Sequence, residues 1–584
     1  MFPKEKNLSD YMREVKNLRI SNIEKRVKIA ILSSFTITGL AETIKVKCNK
    51  INVESSTYAS GYNQFNQEIL DSNSELYRFK PEITFLIIDS KNIFKEDYDF
   101  FYKKNVKERK IIVQEKIDEI INLAKEFVEK TNSKIIISNL SIPSYSNLGI
   151  LETKDYGISQ MILEFNMKLN DSLKNETSVY VYDLFQFFYR FGEQNIAEPH
   201  KIALGDIKIS FNYIPYLAEE FMGYIKPYLG LNKKCIVLDL DNTLWGGIVG
   251  EDGFYGIKLG PDPLGNIFMD FQRWILALHD RGIILAINSK NNSDEALKVI
   301  KEHKHMILKE EDFASMKINW NDKIQNIKEI SQEINIGLDS MVFFDDDLRN
   351  CEMMKAALPQ VLTINLPKDP SLYLPIIQNM NDFNVLKITD EDKKRGEMYY
   401  HQKQRNELKN ETTDLEKYLE KLETKVTIKK VDQTNIPRIS QLTMKTNQFN
   451  LTTKRYSEED IKNMVNDSKI KVVYAQVEDK FGDNGITSTY IIKSKNKKEC
   501  YIDTFLLSCR IIGREVEQTI MSFIIKEAKK EGFEKVIAEF IPTKKNLPAN
   551  DFLEKCGFEK EEKFWVFNTS KEFKKPSIVS LIVK

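Results

Sequence analysis

The segment CIVLDLDNTLWGGIVGEDG, residues 235–253, constrains this chain more than any other stretch. The apolar residues 235–238 read as a buried strand, and Asp239 and Asp241 follow at its carboxyl end. In an open parallel sheet, ligands bind outside the carboxyl ends of the strands. Residues two apart there face the same crevice. A carboxylate can attack phosphorus and form an acyl-phosphate intermediate, the part expected of Asp239. A second carboxylate, Asp241, is placed to protonate the leaving oxygen and later to deprotonate water. Two anions beside an anionic substrate repel each other, so a hard cation has to neutralise them. An oxygen-only donor set favours Mg²⁺, with Asp239 and the backbone carbonyl of Asp241 among its ligands.

Three further elements follow in order. Ser289 ends the apolar run GIILAINS, where its hydroxyl can hold a phosphoryl oxygen. Lys323, in INWNDKIQNI, can neutralise the nucleophile and the transferring group. The run SMVFFDDD brings Asp345 and Asp346, with Asp347 behind them, to another strand end to complete the metal shell. Thr243 is expected to support the first loop through its hydroxyl. A lone D-x-D-x-T often only caps the turn after a strand. The four elements together, each at a strand end or loop, point to phosphoryl transfer.

The surrounding pattern is α/β and multidomain. Residues 28–35, 82–89, 134–140 and 178–185 read as strands, with helical stretches such as 115–130 between them. A second α/β unit has strands at 233–240, 282–288 and 340–345, and helices at 266–280 and 293–304. Little chain is left for an inserted cap between Asp241 and the helix at 266, or between Ser289 and Met341. A turn at 366–370 leads out of it, since neither proline continues a helix or a central strand. The polar stretch 389–423 reads as helical connectors, with Thr389 as a cap and Leu408, Leu415, Leu419 and Leu422 as a thin apolar stripe. The last region mixes strands with a helix over 514–532. The expected domains are therefore 1–230, 231–370, a connector 371–423, and 424–584.

Lys+Arg and Asp+Glu both number 86 in the 584 residues, so no global charge draws the chain to nucleic acid or anionic lipid. No signal-type apolar core opens the sequence, and no run of about 18 apolar residues predicts a membrane span. Six scattered cysteines lack C-x-x-C spacing and fit a reducing cytoplasm.

The acid pair, Ser289, Lys323 and the acidic cluster resemble the phosphatases of the haloacid dehalogenase (HAD) superfamily. The longer string LDLDNTLWGGIVGEDG resembles the FkbH-like family, as do YNQFNQEILDSNSELYRFKPEITFLIID (62–89), LTMKTNQFNLTTKRY (442–456), FGDNGI (481–486) and IDTFLLSCRIIGREVE (502–517). The family usually has asparagine-proline after the paired aspartates, where this chain has Asp347 and Leu348. The resemblance implies an SGNH-hydrolase-like N-terminal domain. Ser34, Asn139 and His200 would stand in its catalytic places, with Ala197 where an acid is usual, a set that fits docking better than hydrolysis. It implies a Rossmann-like HAD domain with a minimal cap, and a C-terminal domain like the GNAT acyltransferases. There Arg510-x-x-Gly513 would open a helix and offer backbone N–H groups to coenzyme A or a phosphopantetheine arm, although Glu515 stands where a small residue is usual. Cys509 beside that helix start is the candidate thiol to hold an acyl group, against the commoner fate of a buried core cysteine. The activity implied is transfer of a glyceryl unit from 1,3-bisphosphoglycerate to an acyl carrier protein, with removal of phosphate, for polyketide-type biosynthesis. The alternative is a phosphatase acting on a sugar phosphate or other small metabolite in surface-polysaccharide synthesis.

Overall fold

The computed structural model describes residues 5–18, 23, 25–388, 401, 404, 405, 408, 409, 412, 414–573 and 576–584. Pro3–Leu229 and Gly230–Lys584 form two compact units.

The first unit is built on five parallel strands, β1 (Lys25–Ser33), β2 (Val53–Ala59), β3 (Ile83–Ile87), β4 (Lys134–Ser138) and β5 (Val179–Tyr182), in the order β2-β1-β3-β4-β5. Every residue of β3 is buried, as a central strand covered on both faces requires. The helix expected over 115–130 begins at Val106, because Asn105 and Glu108 form a reciprocal capping box. Its buried residues Val113, Ile117, Ile120, Ala124 and Phe127 keep the spacing of one helical face.

The second unit begins with another parallel sheet: β6 (Cys235–Leu238), β7 (Ile284–Ser289), β8 (Phe313–Ile318), β9 (Met341–Asp345) and β10 (Leu362–Asn365). Their order is β10-β9-β6-β7-β8. The chain starts at the centre, fills one side, then crosses to the other. This puts the topological switch point between β6 and β9, where such sheets open a crevice at the strands' carboxyl ends. The helix Pro263–Asp280 starts on an Asp262 cap with proline in its first turn, and buries Phe268, Phe271, Ile275 and Leu278. β8 and β10 escape the sequence reading because they are half-buried edge strands without a long apolar run. The expected end of this domain at 370 needs correction. Tyr373, Ile377 and Phe383 pack in the same core as Phe271 and Phe344, so the fold runs on past the prolines.

The third sheet is mixed. Its strands are β11 (Lys425–Lys430), β12 (Phe449–Asn450), β13 (Ile470–Asp479), β14 (Gly482–Ser494), β15 (Glu499–Leu507), β16 (Lys535–Glu539), β17 (Glu559–Glu561), β18 (Phe564–Asn568) and β19 (Ser580–Val583). The path is β17-β18-β16-β15-β14-β13-β11-β19, with β12 paired to β15. The helix Val516–Lys530 covers it, sharing a core with Phe505 and Val536.

Thr389 and most of the polar connector lie outside the described residues. In the helix Leu415–Leu422, Tyr418, Leu419 and Leu422 are buried, and Leu408 packs against them. Leu415, expected in that stripe, is exposed in the first turn, and Tyr418 takes its place. Arg405 reaches Asp479 through two 2.8 Å hydrogen bonds, and Arg514 reaches the same carboxylate at 3.0 Å. Burial opposes the Asp479 charge, but the two guanidiniums outweigh it and hold the carboxyl below its ordinary range. Among the described residues, no helix is long and apolar enough to cross a membrane.

Candidate active site

The switch point collects four of the residues singled out in the sequence. Asp239 leaves β6 with its N–H bonded to the Phe344 carbonyl, which ties it to the neighbouring strand β9. Asp345 ends β9 and is fully buried, and Asp346 follows it. Carboxylate oxygens of Asp239, Asp345 and Asp346 lie within 4.8 Å of one another. Lys323 opens the helix Lys323–Glu333 behind an Asp322 cap. Its ammonium sits 2.9 Å from Asp239 Oδ1 and 2.7 Å from Asp345 Oδ2. Asn288 at the end of β7 fixes that helix start by donating its side-chain amide to the Lys323 carbonyl at 2.9 Å.

One ammonium cannot balance three crowded carboxylates, and the electrostatics record the deficit. Burial pushes the Asp346 carboxyl up to about 6, and the charges of Asp239 and Asp345 add to the rise. Asp345 is raised by burial and then by Asp239, against the pull of Lys323. Burial would lower the Lys323 ammonium, but the two aspartates outweigh it and hold it above its ordinary value. An under-neutralised set of oxygen donors at this spacing fits a hard divalent cation such as Mg²⁺.

Asp241 is set apart from that group. Its Oδ1 accepts from the indole N–H of Trp245 at 2.8 Å and from the Val249 N–H at 3.1 Å, and its Oδ2 accepts from the Asn291 side chain at 2.8 Å. Its side chain is therefore not a member of the metal-type cluster, and only its backbone carbonyl is left for the ligand role expected of it. Burial raises its pKa, against these three donors. A carboxyl so held is oriented and inclined to keep a proton, as a general acid needs. Trp245 and Asn291 were not among the residues read from the sequence. Their signal was available only as an indole four residues after Asp241 and an amide two residues after Ser289.

Ser289 ends β7, buried, on the neighbouring strand. Thr243 differs from expectation, because its buried hydroxyl has no hydrogen-bond partner among the described residues. The loop is held instead by Asn242, at a left-handed φ of 53°. Its side chain accepts from the Gly247 N–H at 2.8 Å, and its carbonyl accepts from the Tyr373 hydroxyl at 2.7 Å. Asp347, the departure from the family pattern, accepts from the Arg349 N–H and caps the helix Leu348–Ala357. Among the described residues of 230–383, no inserted domain covers the crevice. Residues 242–262 hold a two-way Gly246–Lys258 bridge and the four-residue helix Val249–Asp252. The chain from 290 to 340 builds the sheet's own helices and β8.

The other expected sites are elsewhere. In the N-terminal unit, Ser34 is buried and its hydroxyl accepts from the Asp89 N–H at 2.9 Å. Asn139 donates to Asp183 at 2.8 Å and accepts from the Phe185 N–H at 3.0 Å, and His200 is exposed on the helix Pro199–Gly205. Each is engaged or exposed separately, and no hydrolytic relay connects them in the hydrogen bonds they make. In the C-terminal region, Cys509 opens a 3₁₀ turn, Cys509–Ile511, and the long helix begins only at Val516. The expectation that Arg510-x-x-Gly513 opens that helix is thus corrected. The turn intervenes, and Gly513 and Glu515 both take left-handed φ values, 78° and 60°, before the helix starts. Cys509 is half-buried, whereas the other five cysteines are buried.

Residues 28–226 match the family model described as FkbH, N-terminal domain. The crystal structure of the N-terminal part of the protein BF1531 from Bacteroides fragilis, containing a phosphatase domain complexed with Mg, is 27% identical. It covers 66% of this chain and 100% of its own, with a TM-score of 0.60. The ribosomal-protein-S18-alanine N-acetyltransferase from Escherichia coli is 13% identical over 25% of this chain and 96% of its own, with a TM-score of 0.21. Comparison with curated proteins gives no match.

Proposed function

Taking as premise that the chain is FkbH-like and carries a HAD-like phosphatase domain, we propose that it is a Mg²⁺-dependent phosphatase and glyceryl transferase serving an acyl carrier protein. The observation that carries the phosphatase part is the convergence of Asp239, Asp345, Asp346 and Lys323 at the β6/β9 switch point. Asp239, Asp345, Asp346 and the Asp241 carbonyl would hold the cation, which when bound neutralises the carboxylates and the phosphoryl oxygens. The Asp239 carboxylate attacks phosphorus, the bond from phosphorus to the leaving oxygen breaks, and Asp241 gives that oxygen its proton. Asp241 then takes a proton from the water that releases phosphate and restores Asp239. Lys323 holds Asp239 in place, and Ser289 and Thr243 bind the phosphoryl group with their hydroxyls.

Loading uses the other end of the substrate. An acyl phosphate is activated towards a thiol. The Cys509 thiolate attacks the acyl carbon and inorganic phosphate leaves, giving a thioester that a carrier thiol takes over by exchange. Cys509 is the accessible thiol, since burial raises those of Cys48, Cys235, Cys351, Cys500 and Cys556. In this reading residues 1–230 are the docking domain, 231–383 the phosphatase, the rest of the expected connector, 384–423, the link, and 424–584 the acyltransferase-like domain. The whole proposal is tested by incubating the full chain with 1,3-bisphosphoglycerate, Mg²⁺ and a phosphopantetheinylated carrier. A glyceryl mass on the carrier and two phosphates released per turnover are expected. Phosphate release from sugar phosphates, with an unmodified carrier, would favour the alternative substrate class.

A further inference from the structure

The resemblance of the last domain to acyltransferases of the GNAT type implies coenzyme A, and the residues present do not fit it. A coenzyme bound by its diphosphate at the loop after β15 needs two things. The loop's N–H groups must be free for the phosphates. The amide-bearing pantetheine arm also needs an open strand edge beside the loop, since an extended arm binds there as an added strand does.

Both places are taken by the chain itself. The side chain of Glu517, in the first turn of the helix Val516–Lys530, is buried beside the Gly513 N–H, and its Oε2 has no hydrogen-bond partner among the described residues. It is 6% exposed, so it is an internal fixture of the loop. An acidic side chain whose pKa burial raises thus fills the space beside the glycine amide that a phosphate would need, and a second acid, Glu515, occupies the helix's cap position.

The strand edge is closed just as fully. One edge of β15 pairs with β14. The other pairs with β16 over Glu499–Ile502 and with β12 at Leu506 and Leu507. Between these, Thr452 donates its hydroxyl to the Asp503 carbonyl at 2.9 Å, and the Leu451 N–H donates to the Phe505 carbonyl at 3.1 Å. The same segment is stitched to the far side, where the Ile541 N–H donates to the Leu451 carbonyl at 2.8 Å and Asn546 donates to the Asn450 carbonyl at 2.9 Å. Phe449 and Leu451 are buried in the domain core, so withdrawing the segment would expose them. It is a built strand of the sheet.

We infer that this domain is closed to coenzyme A, with Glu517 standing in for the diphosphate and the segment 449–452 for the pantetheine arm. An acyl group would then reach the domain from the exposed side of Cys509 on a carrier that brings no nucleotide diphosphate. The closure concerns the C-terminal domain alone and does not rest on the phosphatase reading. Phosphate release is left untouched by either outcome of its test.

The test is calorimetric titration of the full-length protein with coenzyme A and with adenosine 3′,5′-diphosphate. No saturable binding is expected up to about 1 mM. Binding below that concentration, with the two ligands competing, would overturn the closure. In Glu517→Ala, which clears the space beside the Gly513 amide, adenosine 3′,5′-diphosphate, which has no arm for the segment 449–452 to block, should bind at least roughly tenfold more tightly than to the wild type, a gain of about 1.4 kcal/mol. A folded Glu517→Ala protein with no gain removes Glu517 from the explanation. Should that variant fail to fold, Glu517→Gln keeps the side chain's size and tests the acid alone. A several-fold gain supports the assignment, and none contradicts it.

Discussion

Asn335 donates its side-chain amide to the backbone carbonyl of Cys509. Asn335 lies in the loop that enters β9, at the amino end of the second sheet, whereas Asp345 ends the same strand at the crevice. Lys545 adds a second tie at that end, 2.9 Å from Asp339. β9 has 5 residues, so the two ends are about 13 Å apart along the strand. The Cys509 backbone and the acidic crevice therefore lie at opposite ends of one sheet. In the proposed function, a group held on Cys509 would have to be carried to reach Asp239, the kind of travel a long flexible arm provides.

Asp239→Asn should lower phosphate release by roughly 10⁴-fold or more, because an amide is not a nucleophile and groups acting as a unit fail together. Circular dichroism should be unchanged, since the replacement is isosteric. Near-normal turnover in a folded protein would sink the aspartyl mechanism.

Chelation should abolish phosphate release, and Mg²⁺ should restore it. Because the cation relieves repulsion among Asp239, Asp345 and Asp346, Mg²⁺ at about a hundred times its Kd should stabilise the fold by about 2.7 kcal/mol. Thermal melts with EDTA and with Mg²⁺ measure this, and Asp346→Asn should shrink the difference. A melting temperature indifferent to Mg²⁺ in the wild type would count against the site.

Lys323→Met leaves two buried carboxylates without their ammonium. Breaking a buried pair costs roughly 3–5 kcal/mol, and the loss should be larger in EDTA than in saturating Mg²⁺, where the cation takes over the neutralisation. Urea unfolding under both conditions decides the matter, and equal losses would contradict the shared role.

Trp245→Phe removes one of the three donors that orient Asp241. We expect kcat to fall by about tenfold or more with KM little changed. Losing a donor to the ionised carboxylate also moves the Asp241 pKa further up, so its limb of the pH–rate profile should shift to higher pH. A purely structural tryptophan would lower the melting temperature and leave that limb in place.

Cys509 should gain a glyceryl or phosphoglyceryl mass on incubation with 1,3-bisphosphoglycerate without carrier, and neutral hydroxylamine should remove it. Peptide mapping locates the adduct. If Cys509→Ala still carries it and still loads the carrier at the normal rate, transfer is direct or uses another residue.

What the sequence determined by itself was local. A buried strand reads as a continuous apolar run, so β3, β6, β7 and β9 were legible, and with them the strand ends that carry Asp239, Ser289 and Asp345. The half-buried edge strands β8 and β10 were not, because an edge needs no such run. Tertiary structure alone decided what the strand ends do together. Strand order put β6 beside β9 and thereby set Lys323 between two aspartates. It turned the side chain of Asp241 towards Trp245 and Asn291 and away from the metal-type cluster. It also slid the segment 449–452 against β15 and buried Glu517 in the first turn after the loop, filling places that the loop motif by itself would leave open. Those partners are tens of residues from one another or only a turn apart; periodicity records which face a residue takes, and it carries no record of which distant backbone will fill the edge beside it.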